Sequence, residues 1–109
     1  KKLPVAHLAL LPNQVLVSRK KHPLVYQKRV HKLFFDESFQ EVFIQGMGAA
    51  VPMAIDLCLS LAEKYPSISV GQCETCSIPV TDEVWEDGEV VGREQRVKSA
   101  IVVQLLRAV

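Results

Sequence analysis

The chain has 109 residues, 49% of them apolar and 23% charged, with a formal net charge of +1. That composition suits one soluble globular domain and leaves no length for a second core. No apolar run nears the roughly 20 residues that cross a bilayer, and Lys1-Lys2-Leu3-Pro4 does not open a signal peptide, so a soluble chain kept inside the cell is expected. Residues 1–12, with Pro4 and Pro12 and no clear period, read as a lead-in to a domain spanning 13–109. From Gln14 a β-branched run predicts a first strand. Pro23, with its fixed φ and missing N–H, suits the first turn of a helix that should run to about Phe35. At about 100° per residue, Tyr26, Val30, Leu33 and Phe34 share one arc of that helix, while Lys28, Arg29 and Lys32 fall nearly opposite. One face is for the core and the other is cationic.

Glu41–Gln45 reads as the second strand, and Gly46-Met47-Gly48 as a loop leading into a second helix over about Ala49–Tyr65, where Pro52 is acceptable in the first turn. Along that helix Val51, Ala54, Ile55, Leu57, Cys58, Leu59, Leu61 and Ala62 cover an arc wider than one core contact needs. The surplus, Ile55, Leu59 and Ala62 with Val102 and Leu106 of the last strand, is the candidate partner interface. The alternative is that the arc is sandwiched between a sheet and the first helix. After Pro66 a strand is expected to Val80, then an acidic loop over about 82–94, then a strand over Val97–Ala108 whose two faces are both partly covered. The predicted order is β-α-β-α-β-β, an α/β chain.

The net charge of +1 hides a segregation. Lys1, Lys2, Arg19, Lys20, Lys21, Lys28, Arg29, Lys32 and all three histidines precede the first carboxylate, Asp36, and the acids crowd around Gly88 as Asp82, Glu83, Glu86, Asp87 and Glu89. Arg19, Lys20 and Lys21 sit where a strand hands over to a helix, beside the cationic face carrying Lys28, Arg29 and Lys32. Cations so arranged can neutralise phosphates and release counterions; the plainer reading is a solvated helix face. Gly46, Met47 and Gly48 could admit a nucleic-acid backbone at the start of the second helix, or could simply make a tight turn. The loop is neither a Walker loop nor a dinucleotide fingerprint.

Other chemistry is poorly supported. Cys73-Glu-Thr-Cys76 has Cys-x-x-Cys spacing, but in a strand residues three apart face opposite ways and cannot share one metal. The odd count of three cysteines suits free thiols in a reducing compartment, cytosolic or nuclear. The acids near Asp82 could hold magnesium, but on a hairpin they are more simply a solvated turn. No Ser/His/Asp or Cys/His nucleophile pattern occurs. Neither an enzyme nor a cofactor is called for.

Three stretches carry a resemblance: Pro12–Pro23 (PNQVLVSRKKHP), Glu41–Val51 (EVFIQGMGAAV) and Arg93–Arg107 (REQRVKSAIVVQLLR). In order and spacing they resemble an Alba domain over about residues 12–108. Within that superfamily the chain is most similar to the smaller Alba-like protein subunit of eukaryotic RNase P and RNase MRP, whose Gly-hydrophobic-Gly loop matches Gly46–Gly48 and whose acidic segment matches Val80–Val84. The resemblance implies a mixed four-stranded sheet with two helices on one face. It also implies an RNA-binding, non-catalytic subunit that pairs with a second, larger Alba-like subunit, acts in tRNA and rRNA processing in the nucleus and nucleolus, and leaves catalysis to the particle's RNA. The family's junction lysines correspond to Lys20 and Lys21. Archaeal chromatin members carry basic residues where Gln45 and Met47 stand, so general coating of duplex DNA is not expected. A free-standing Alba protein of chromatin or messenger RNA is the alternative.

Overall fold

The structure, a computed structural model, describes residues 11–108. Most of the expected lead-in, with Lys1, Lys2 and His7, lies outside them. Strand β1 (Gln14–Val17) is followed by helix α1 (Pro23–His31), which continues as a π-helical turn over Lys32–Asp36. Strand β2 (Glu41–Met47) leads through a 3-10 turn, Gly48–Ala50, into helix α2 (Val51–Lys64). Strands β3 (Ile68–Glu86) and β4 (Glu89–Arg107) complete one sheet of order β1-β2-β4-β3. Among the described residues only the β1–β2 pair is parallel. This is the mixed four-stranded sheet with two helices that the resemblance implied.

Both helices lie on the sheet face formed by Val15, Val17, Val42, Ile44, Ile101, Val103 and Leu105. Alternation along each strand sends these side chains inward together. The predicted helical arc, Tyr26, Val30, Leu33 and Phe34, is buried against them, as are Ala54, Leu57, Cys58 and Leu61 of α2. Proline starts both helices as expected, and His22 caps α1 by accepting the Leu24 N–H at Nδ1, 3.1 Å away. The π turn ends where Ser38 takes a left-handed φ of 60° and the Phe39 N–H returns to the Leu33 carbonyl at 3.1 Å.

Two expectations need correction here. The acidic segment 82–94 is not a loop: β3 and β4 run through it in register and meet at a two-residue turn, Asp87 (φ 50°) and Gly88 (φ 77°). Positive φ at both central residues is what a tight hairpin turn requires, and Asp-Gly supplies it. The hairpin therefore projects beyond the helical layer as a two-stranded arm, and the molecule is 56 Å long. Second, Val102 and Leu106 do not join Ile55, Leu59 and Ala62. Their even register places them on the sheet face away from the helices, where Val102 is buried with Phe43, Ile78 and Ala100. Alternation separates what a list of apolar residues had grouped.

Cys58 is buried under α2, and burial together with the neighbouring Cys73 thiol pushes its pKa up to about 12. Cys73 lies opposite Val103 and Cys76 opposite Ala100, on opposite faces, and both are exposed. Iodoacetamide at pH 8 is accordingly expected to modify Cys73 and Cys76 in the folded protein and to reach Cys58 only after denaturation, as counted by mass spectrometry. Because the folded thiol keeps its proton after the unfolded one releases it, stability from this group is full below pH 9.0 and declines as pH rises toward about 12.

Candidate nucleic-acid interface

The β1–α1 junction is held in place by one side chain. The Tyr26 hydroxyl, buried under α1, accepts the Ser18 N–H at 2.9 Å and donates to the Ser18 carbonyl at 3.1 Å. Both functions of the hydroxyl are thus spent on the backbone of one residue, which fixes where the chain leaves the sheet. Ser18 Oγ then accepts the Lys20 N–H at 3.2 Å, turning the backbone outward. Arg19, Lys20 and Lys21 follow, all exposed, directly before the N-terminus of α1, whose dipole adds to their attraction for an anion.

Register shows what stands beside them. Val17 is level with Gly46, Gly46 with Ile101 and Met47 with Ala100, so the hairpin arm leaves the sheet at the same end as both strand-to-helix junctions. At its base Lys98 lies against Gly48, with its Cδ 3.8 Å from where a glycine Cβ would stand. Lys98 went unnoticed in the sequence because it is more than seventy residues from Lys21 and only strand pairing brings the two to one end. Farther out the arm is acidic, with Asp82, Glu83, Glu86, Asp87, Glu89 and Glu94 against Arg93 and Arg96, and Arg96 is ion-paired with Asp82. Phosphate is favoured at the arm's base and repelled from its tip.

The glycine segment serves packing. Gly46 and Met47 belong to β2, not to a loop; a Cβ on Gly46 would come within 2.8 Å of both the Ala50 carbonyl oxygen and the Ala54 Cβ. Its missing side chain lets α2 lie close on the sheet. The Met47 side chain joins the Phe43, Ile78, Ala100 and Val102 cluster. Gly48, half-buried and with φ 56°, is at the junction. Gln45 is buried and accepts the Gln14 Nε2 at 2.7 Å.

The six cations expected to form one patch are divided. Arg19 borders one end of the groove between α1 and α2, with Pro23, Ala49 and Pro52. Lys28 and Lys32 line a separate cleft at the other end of that groove, with Lys64 and Tyr65, and Arg29 borders neither. Among the described residues no three His, Cys, Asp or Glu side chains converge as a metal would need.

Solved structures of two Alba proteins share the fold. Over 92% of this chain and 73% of theirs, the coordinates of ALBA1 from Trypanosoma brucei superimpose with a TM-score of 0.67 at 16% identity. Alba from Thermoplasma volcanium does so over 87% of this chain and 100% of its own, with a TM-score of 0.69 at 19% identity. The protein is thus an Alba-fold protein with a cationic strand–helix junction. No curated protein sequence matches the chain, but residues 11–104 match the family described as the Rpp20 subunit of nuclear RNase MRP and P. The chain belongs to that family of protein subunits of those ribonucleoproteins.

Proposed function

We propose that the protein is a non-catalytic RNA-holding subunit, acting in tRNA 5′ maturation and rRNA processing in the nucleolus. The observation that carries this is the cationic junction itself: Arg19, Lys20 and Lys21 stand exposed on a backbone pinned by Tyr26, with Lys98 at the same end of the sheet. Such an end suits the holding of phosphates, and catalysis is assigned to the particle's RNA. Lys28 and Lys32 stand apart from it, in the cleft at the other end of the helices.

The protein partner is a second Alba-like subunit, seated on the flank of α2 turned away from α1. There Ile55 and Leu59 are 38% and 58% exposed and Ala62 is half-buried. Val70 of β3, level with Leu105 and so on the helical side of the sheet, is also exposed, and Cys73, level with Val103, lies on that same side. Apolar side chains exposed together on one flank mark a protein contact. A tagged copy purified from cells is expected to bring down the RNAs of RNase P and RNase MRP together with one second Alba-like protein. Recovery of neither RNA would overturn the reading.

A further inference from the structure

At the C-terminal ends of the two helices, remote from the junction, lies a cleft of about 400 Å³. Lys28, His31 and Lys32 form one wall and Lys64 and Tyr65 the other. Three rings meet there: His31 and Phe35 have centroids 4.7 Å apart, and Tyr65 is 5.6 Å from each of them. Arg107 covers Phe35, with its Cζ 4.5 Å from the ring centroid, and anchors itself by donating from Nη1 to the Phe34 carbonyl at 2.5 Å. Phe35 is thus the back of the platform, while His31 and Tyr65 face the cleft. Lys64 Nζ lies 5.5 Å from the Tyr65 ring centroid, at the rim.

We propose that this cleft is a second RNA site, which takes one unpaired nucleotide by stacking its base on His31 and Tyr65 and its phosphate against Lys28, Lys32 and Lys64. The inference rests on the RNA-holding role proposed above. Rings partly open to solvent and ringed by ammonium groups suit a splayed-out base with its phosphate, since every base has a stacking face and every phosphate a charge. A paired base, stacked inside a helix, cannot enter. Among the described residues Asp36 is the single carboxylate on the wall, and it can accept from an exocyclic amino group of a base. The wall itself is unusual: Lys32 and Asp36 bound the π-helical turn, closed by the Glu37 N–H to Lys32 carbonyl bond at 2.9 Å, and such turns are frequent at functional sites. Helix α2 spans about 20 Å, so the cleft and the junction bind different stretches of one RNA.

The test compares a 12-nucleotide single-stranded RNA with the 12-base-pair duplex, using the full chain and checking each variant's thermal melt. Lys64→Glu and Tyr65→Leu are each expected to weaken single-strand binding about tenfold and to leave duplex binding unchanged. Lys20→Ala with Lys21→Ala is expected to weaken both. Single-strand affinity unchanged in Lys64→Glu and Tyr65→Leu, alongside a loss in the lysine pair, would sink the cleft while sparing the RNA-holding role. A wild-type chain that binds neither RNA would sink that role instead. Because Tyr65 also touches the core, the wild-type protein is titrated separately with adenosine 5′-monophosphate and followed by NMR. Shifts centred on His31, Lys64 and Tyr65 support the site. Shifts confined to residues 19–21, or a response at the cleft to a polyglutamate peptide and none to the nucleotide, overturn it.

Discussion

Gly46→Val is expected to cost about 3 kcal/mol or more of folding stability and to leave little folded protein at 37 °C. The physical cause is overpacking of a rigid contact. A Cβ at this position would lie 2.8 Å from the Ala50 carbonyl oxygen and 2.8 Å from the Ala54 Cβ, both well inside van der Waals range. Neither neighbour can swing aside, because one is backbone and the other is a side chain of one atom. Relief demands that the start of α2 lift off β2, which would loosen Leu57, Cys58 and Leu61 in the core below. Such a loss is a large part of the 5–15 kcal/mol typical of a domain this size. Urea denaturation followed by circular dichroism measures it. A variant that kept the wild-type midpoint yet lost RNA binding would restore to Gly46 the role of ligand contact that its loop-like sequence suggested.

Replacing Arg19, Lys20 and Lys21 together by alanine is expected to lower RNA affinity by about two orders of magnitude at 0.1 M salt, and to shallow the dependence of log K on log salt by about two to three. Each lost phosphate contact removes roughly 0.7 to 0.9 counterions from the release term, so affinity and slope must fall together. The fold should not change, because all three side chains are exposed and the Tyr26–Ser18 clasp stays intact. Lys98→Ala should lower the slope by about one more. Arg96→Ala should leave it unaltered, since Arg96 is already neutralised by Asp82. Filter binding across a salt series reads all of these. A weakened affinity with an unchanged slope would show that the junction acts on RNA through shape, not charge.

The elements that were legible in the sequence are those whose signal is local. Pro23 and Pro52 mark helix starts because proline's constraint acts on its own turn, and Tyr26, Val30, Leu33 and Phe34 are buried as their period predicted. The acidic arm was misread for an equally local reason. A run of carboxylates resembles a solvated loop, yet a two-stranded ribbon needs no buried face when the turn, Asp87-Gly88, and the adjoining sheet hold it in register. Gly46 was placed in a loop and lies in β2, because a glycine needed for close packing in a strand and one needed in a turn look alike until the neighbour is known.

Alone, the order of residues determined the charge asymmetry, the two amphipathic helices and the family, since each depends on spacing along the chain. Tertiary structure decided which surfaces those features compose. The sheet order β1-β2-β4-β3 sets Lys98 at the end that carries Lys20 and Lys21, and divides the surplus apolar residues between two faces. Parallel helices give Lys28 and Lys32 to a cleft with Lys64 and Tyr65 instead of to the junction. Charge and period are properties of neighbours in sequence. A binding surface is a property of neighbours across the sheet, and those are chosen by which strands pair.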